Sequence, residues 1–539
     1  MVCLNHYLII ENSMFKNLYL SSLYKNSASS NDTIYLLITR LVKFLIMFRF
    51  VFFLVVVTFC LLYGISPSFD NARKRDNSTL RAAVYEYRRF TNLTDNQLGV
   101  KQVNLRAYAK AIQVASHNGA EIIVFPESGL FSASNRHIAS LNYEYIPEAN
   151  GSITPCIDWD QESSPSSSQI VHTLSCLARG FKIYVAAILG EKIECSLLSD
   201  PDCPEDGHYL YNTQILFDST GKLIAKYHKT HLFFEPANNI PKDPEIVTVS
   251  TPLGKFGFLI CFDIHFEQPA LSLIYDEAVD TILFGAHWID ELPFLNAHRV
   301  QSGFTIEHNV NLLAAGVNDL VNGALGSGIY VAGEGPIVYT ADVKKSGSRL
   351  LIADIPKSRK TPNEEDSETE SRFIKVIEHL DEPDEASTYV PWELALDIFN
   401  HTVLTHQSDN IVSCTETVCC ELSYSLTKPS FTSTYYLLAK RWIRPTTKIC
   451  EQFCGLVAYN QTDYAYTTTD QFSYVKLTGT FAGNLSIPSV VTNNFELIAK
   501  SKWNYVHKDN VASISFEKLD QPLVGVTLYS RNEKDDQQL

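Results

Sequence analysis

Three stretches of this chain end apolar runs on residues that could do chemistry. The first is Lys255-Phe-Gly-Phe-Leu-Ile-Cys-Phe-Asp-Ile-His-Phe-Glu-Gln-Pro-Ala270. Phe256 to Ile260 reads as a short buried strand that delivers one thiol, Cys261, where Phe262 and Asp263 begin a turn. A thiol at a strand-to-helix turn can face a pocket while nearby backbone N–H groups remain free to hold an oxyanion. The second is Glu121-Ile-Ile-Val-Phe-Pro-Glu-Ser-Gly129, in which Pro126 ends a strand and leaves Glu127 at its tip. The third is Leu223-Ile-Ala-Lys-Tyr-His-Lys-Thr-His-Leu-Phe-Phe-Glu235, where a strand runs into a polar cluster holding Lys229. Taken singly, a buried structural thiol and two solvated loop charges are the more common readings. Together they supply a carboxylate, an ammonium and a thiol from three strand ends.

That ordered set resembles the Glu-Lys-Cys triad of the nitrilase superfamily of carbon–nitrogen hydrolases, and more closely its vanin/biotinidase branch. Phe-Pro-Glu at 125–127, Tyr-His-Lys at 227–229 and Cys-Phe-Asp-Ile at 261–264 are similar to the three signatures of that branch. So are Asp202-Cys-Pro-Glu-Asp-Gly207, Tyr211-Asn-Thr213, Phe217-Asp218 with Gly221-Lys-Leu223, and Gly326-Ser-Gly-Ile-Tyr330. The resemblance runs from about residue 80 to about 525. Ser128 departs from it, because the branch carries an aspartate after the glutamate.

The chemistry of a thiol attacking an amide assigns the roles that the resemblance also implies. A free thiol is mostly protonated at neutral pH, so Cys261 needs a base, and Glu127 is the candidate proton acceptor. Lys229 supplies positive charge beside the oxyanion, with the backbone N–H of Phe262. Loss of the amine leaves a thioester that water then cleaves, with no metal and no organic cofactor. Glu235 is read as a second carboxylate orienting Lys229, or else as a loop charge. Asp263 is read as ordering the turn after Cys261, and His228 and His231 as supporting or surface residues. His287 and Trp288 follow a strand and are candidates for the wall of a substrate pocket.

Alternating elements must position these groups. Strands are expected at 82–87, 122–125, 183–188, 212–217, 223–226, 256–260, 281–284, 311–316, 329–331 and 350–353. Helices are expected at 98–118, with Val100, Val103, Leu105, Ala109, Ile112 and Ala115 on one face, and at 166–180, 270–279 and 295–309. This is an α/β pattern of layered sheets with outer helices, which the resemblance sharpens to the αββα sandwich of nitrilases over residues 80–356. A polar linker is expected at 357–390. Beyond it, residues 391–530 read as a smaller, β-rich, disulfide-stapled domain that resembles the vanin C-terminal base domain. Its strands are expected near 432–441, 455–459, 472–482 and 523–529.

Residues 1–46 form a leader without clear periodicity, and translation from Met47 would make them an artefact of the gene prediction. Residues 47–70 read as a secretory signal peptide, one positive charge before an apolar core and small residues. An uncleaved anchor over 45–65 is the alternative. Export agrees with six Asn-X-Ser/Thr sequons, at Asn77, Asn92, Asn150, Asn400, Asn460 and Asn484. The closing Arg531-Asn-Glu-Lys-Asp-Asp-Gln-Gln-Leu539 has no apolar tail for a lipid anchor. Of 12 cysteines, Cys3 and Cys60 fall in the leader and signal. With Cys261 kept as the thiol, the number left is odd, so at least one more stays outside any intrachain disulfide. Cys195 and Cys203 are the expected local pair. For Cys414, Cys419, Cys420, Cys450 and Cys454, disulfides are preferred to zinc, since no suitably spaced histidines accompany them.

A formal charge of −16 from 44 basic and 60 acidic residues excludes a broad nucleic-acid-binding surface. The expected partner is a small-molecule amide. The resemblance implies hydrolysis of pantetheine to pantothenate and cysteamine, with biocytin cleavage to biotin and lysine as the alternative. A secreted glycoprotein that keeps the fold without catalysis is the reading from another class, and the presence of all three triad residues argues against it.

Overall fold

A computed structural model describes residues 77–91, 97–159, 168–359, 372–378, 380, 385–459, 466–483 and 485–537. The expected leader, the signal segment and the sequons at Asn92, Asn460 and Asn484 lie outside these residues. Asn77, Asn150 and Asn400 are exposed.

Alternation of apolar residues builds the first half. β1 (Thr79–Glu86), β2 (Ile122–Val124), β3 (Tyr184–Glu194), β4 (His208–Phe217) and β5 (Leu223–His228) join in one sheet, in sequence order. β1, β2 and β3 are parallel, and β4 and β5 return antiparallel. A second sheet is made from β6 (Thr248–Thr251), β7 (Gly254–Ile260), β8 (Thr281–Ala286), β10 (Asn311–Gly316), β11 (Gly328–Val331) and β12 (Gly335–Tyr339). Its centre, β7–β8–β10, is parallel. The two-residue strands β9 (Glu291–Leu292) and β13 (Lys345–Ser346) lie outside both sheets. β14 (Arg349–Pro356) pairs with β1, and β15 (Ile374–Glu378), from the stretch expected to be a linker, adds the edge strand.

Every second residue of the first sheet faces the other sheet. Leu80, Ala82, Val84, Ile122 and Val124 share one core with Phe256, Phe258, Ile260, Ile282 and Phe284. The intervening Ala83, Tyr85, Ile123 and Val185 pack on helices α1 (Gln97–His117) and α2 (Gln169–Phe181) through Tyr108, Ile112, Val171 and Leu174. This period-two division places two sheets between helices, the expected αββα layering. Within α1 the buried stripe runs through Val100, Asn104, Tyr108, Ile112 and Ala115, whereas Val103, expected on it, is 38% exposed. The expected helix at 270–279 is instead a short helix, Glu267–Leu271, followed by one wide turn over Ser272–Asp276.

The second half is a β-sandwich. β18 (Asn400–Val403), β21 (Tyr435–Ile443), β22 (Cys450–Ala458), β27 (Gly525–Arg531) and β24 (Leu485–Val491) make one sheet, after the short β16 (Glu385–Ala386) and β17 (Trp392–Glu393). β19 (Ser408–Cys414), β20 (Cys419–Leu426), β23 (Phe472–Thr480), β26 (Val511–Glu517) and β25 (Asn504–Lys508) make the other. Leu422, Leu437, Leu456, Val475, Ile514 and Leu528 fill the space between them. Disulfides join Cys156–Cys176, Cys195–Cys203, Cys414–Cys419 and Cys420–Cys454, which among the described residues leaves Cys261 and Cys450 as thiols. The expected Cys195–Cys203 pair and the odd cysteine are both present, the latter as Cys450.

The halves meet at helix α3 (Ala297–His308). Val300 and Phe304 join the core of the first half, and Ile306 joins the core of the sandwich. Gly303 permits this approach, because a Cβ there would lie 2.4 Å from Ile487 Cγ2 and 2.6 Å from the Pro488 carbonyl oxygen. Among the described residues, no helix is long and apolar enough to cross a membrane.

Candidate active site

Each predicted residue sits at the C-terminal end of a strand, where a parallel sheet leaves loops free to converge. Glu127 follows β2, Lys229 follows β5 and Cys261 follows β7. Cys261 has φ +48°, the left-handed region that non-glycine residues avoid. Such strain at a strand-to-helix turn is a feature of functional sites. It starts the short helix Cys261–His265, whose opening N–H groups have no helical carbonyl to bond.

The three groups meet in a nearly dry site. Glu127 is 4% exposed, Lys229 1% and Cys261 6%. Lys229 Nζ lies 2.6 Å from Glu127 Oε1 and 2.5 Å from Glu235 Oε1. Asn212 Nδ2 donates to both carboxylates, at 2.8 Å each. The backbone N–H of His287 holds the other oxygen of Glu127 at 2.9 Å. Asn238 holds Glu235 at 2.9 Å and is itself bonded by Tyr143 Oη at 2.8 Å. Glu235 therefore has a fixed place in the cluster.

Burial and charge act against each other here. Burial favours a neutral Lys229, but Glu127 and Glu235 outweigh it and hold the ammonium well above its usual range. Burial first, then the Glu127 carboxylate, pushes the Cys261 thiol well up, with Lys229 opposing. A thiol in that state keeps its proton until a base removes it.

Asp263 holds the turn. It accepts from Ile260 N at 3.0 Å, His231 N at 2.8 Å and Tyr227 Oη at 2.8 Å. Burial raises it to about 7. His231 stacks on Phe266 with centroids 3.5 Å apart, and burial lowers it to about 4. His228 faces away, bridging Glu191 and Glu245 at 2.7 Å each. Although burial favours its neutral form, these two carboxylates raise it to about 9. His287 contributes its backbone to Glu127, and burial lowers its ring to about 4. Trp288 is turned into the core, with Nε1 on the Leu295 carbonyl at 2.9 Å and its ring on His265. Ser128 has φ +58° and offers its carbonyl to Arg89 at 3.1 Å. The grip on Glu127 comes from Asn212 and the backbone of His287, not from the residue after it.

Comparison with known proteins agrees with this geometry. The carbon-nitrogen hydrolase family profile matches residues 91–303, and the Vanin C-terminal domain profile matches residues 388–536. The pantetheinase of Bos taurus is 32% identical over 476 residues, covering 85% of this chain and 91% of its own. The chain belongs to the carbon–nitrogen hydrolases, in their vanin/biotinidase branch. The human pantetheinase is also 32% identical, over 85% of this chain and 90% of its own. The biotinidase of Takifugu rubripes is 30% identical, over 84% and 94%. Membership makes the protein a hydrolase of carbon–nitrogen bonds other than peptide bonds, and an amide its substrate.

Asn212, Asn238 and Tyr143 received no role from the sequence. Asn212 stands in the Tyr211-Asn-Thr213 motif, and an amide side chain inside a largely apolar strand was its signal. For Tyr143 there was none, since it reaches the site only through Asn238.

Proposed function

We propose that the protein cleaves a linear amide through Cys261, Glu127 and Lys229, with pantetheine as substrate and pantothenate and cysteamine as products. The observation that carries this reading is the buried Lys229, held 2.6 Å from Glu127 in the same nearly dry site as the Cys261 thiol. Glu127 takes the thiol proton as sulfur attacks the carbonyl carbon, so the nucleophile and the acid form together. Lys229 and the Phe262 N–H stabilise the oxyanion. Collapse expels the amine, which takes the proton from Glu127 and leaves a thioester. Glu127 then activates water to release the acid.

Pantetheine is preferred because the mammalian pantetheinases match at 32% identity. The fish biotinidase, at 30%, keeps biocytin as the second reading. Four disulfides and exposed sequons at Asn77, Asn150 and Asn400 support an oxidising, extracellular setting.

The test is hydrolysis of pantetheine and of biocytin by the purified secreted protein, beside Cys261→Ala. Pantetheine turnover absent from the variant is the expected result. Turnover of biocytin alone would move the substrate assignment, and activity surviving in Cys261→Ala would overturn the nucleophile.

A further inference from the structure

The turn that carries Cys261 is gripped from behind by the C-terminal sandwich. His265, four residues after the thiol, is 3% exposed and its ring touches Tyr529 of β27, with Nδ1 3.0 Å from Tyr529 Oη. The same hydroxyl lies 3.0 Å from Glu451 Oε1 of β22. Arg444 holds Glu451 through Nε and Nη2, at 3.0 and 3.1 Å, and reaches Glu291 of β9 at 2.9 Å. The direction of this chain is fixed by its ends. A carboxylate paired with a guanidinium only accepts, so Tyr529 must donate its one proton to Glu451. The Tyr529 oxygen is then left to accept, and His265 must carry its proton on Nδ1. Burial, with Arg531 and Arg444 nearby, holds the imidazole neutral, as this arrangement needs.

Arg531 makes a second hold. It is 1% exposed, and its Nε donates to the His265 carbonyl at 3.2 Å while its guanidinium lies over the Phe266 ring at 5.1 Å. Its other nitrogens bond the Cys450 carbonyl and Asp536, the latter at 3.0 and 2.8 Å. Glu533 accepts from the backbone N–H of Glu267, just beyond the turn. Side chains at and just beyond the C-terminal end of β27 thus bond the backbone and ring of the segment that starts at Cys261. Tyr529 is itself held by Glu451, and Arg531 by Asp536 and the Cys450 carbonyl.

We propose that Tyr529 and Arg531 are positioning residues for the reaction, setting where the Cys261 sulfur and the Phe262 N–H stand relative to Glu127 and Lys229. This rests on Cys261 being the nucleophile. The physical ground is that the turn begins on a residue at φ +48°. A strained conformation persists only where its surroundings over-determine it. Asp263 restrains the turn from the Lys229 side, and the sandwich restrains it from the other. Misplacement of the order of 1 Å by a change remote from the chemistry lowers turnover by up to about a hundredfold.

The test uses the full secreted chain with Tyr529→Phe, which removes one hydroxyl, and Arg531→Lys, which keeps the charge against Asp536 but loses the fork. Melting temperature, kcat, KM and the rate of alkylation at Cys261 across pH are read for each, with the alkylated cysteine located by peptide mass. The expected result is kcat lower by about threefold for Tyr529→Phe and about tenfold for Arg531→Lys, with KM within about twofold. Alkylation at Cys261 should change its rate and pH profile in the same variants. Unchanged kcat and alkylation in folded variants would overturn the inference. So would a loss of activity that only follows the loss of folded protein. Activity in Cys261→Ala would instead overturn the nucleophile assignment on which it rests.

Discussion

Both halves of this chain lay one sheet on another, but they bury different things. In the first half β2 and β7 lie among parallel strands, and β5, two antiparallel steps from β3, points the same way as β2, so the loops after β2, β5 and β7 converge. What they bury is charged, namely Glu127 and Lys229, with Glu235 beside them. In the sandwich the strands are antiparallel hairpins, and the interior is apolar with the Cys420–Cys454 disulfide at its centre. An antiparallel sheet sends successive loops to opposite ends, so it gathers no such set. The difference separates a half that buries a cluster of charges, at a cost in stability, from a half whose interior burial is mainly apolar. At the C-terminal end of β27 the sandwich also carries buried polar groups, Tyr529 and Arg531, where it meets the Cys261 turn.

Four substitutions sharpen that contrast, beginning with the largest effect. Glu127→Gln keeps the shape of the site but removes the carboxylate proposed as the base. Turnover should fall by about 10²–10⁴-fold while the melting temperature barely moves, as kinetics and calorimetry on one preparation would show. Lys229→Met leaves two buried carboxylates without a counter-charge. It should lower turnover by about 10²–10³-fold and also cost about 3–5 kcal/mol by denaturant unfolding. Full stability in Lys229→Met would break the view that the charge cluster is held by mutual compensation.

Leu437→Ala is the converse. Leu437 is fully buried between the sandwich sheets, so the change should cost about 2–5 kcal/mol and leave kcat of the folded fraction unchanged. A change in kcat at a temperature where the variant stays folded would show that the sandwich core also governs the site.

The smallest effect concerns pH. His228 is raised to about 9 by Glu191 and Glu245, acting against burial. Its folded pKa lies above its unfolded value, so its contribution is fully present below about 6.5 and is lost as pH rises through about 9. Melting curves should lose stability across that window, and His228→Asn should flatten the profile there. An unchanged profile would remove His228 from the polar interior of the first half.

How much of this was legible follows from how local each signal was. Glu127, Lys229 and Cys261 were readable because each ends an apolar run, and a strand end marks itself in sequence. The layer structure was readable from strands alternating with helices, and Cys195–Cys203 from the short loop, containing proline and aspartate, that the two cysteines flank. Val103 was misplaced because α1 follows a stripe of four-residue steps through Asn104, a polar residue that an apolar template skips. Asn104 is buried because it bonds Tyr87 Oη and the carbonyls of Phe90 and Leu130. The 270–279 segment carried helical composition, yet the packing of Leu273 and Ile274 into the core left only a short helix and one wide turn.

The sequence by itself determined which residue types stand at three strand ends, because period-two burial and the residues that end strands are local properties. Only the tertiary structure decided what holds them. Asn212 bonds two carboxylates across 85 and 23 residues of chain, and Tyr529 and Arg531 reach a turn more than 260 residues away. Neither composition nor spacing encodes a contact at that separation. It exists because one apolar core runs from the first-half sheets through Val300 and Phe304 of α3 to Phe453, Ile487 and Tyr529 of the sandwich, and so brings those strand ends to the same place.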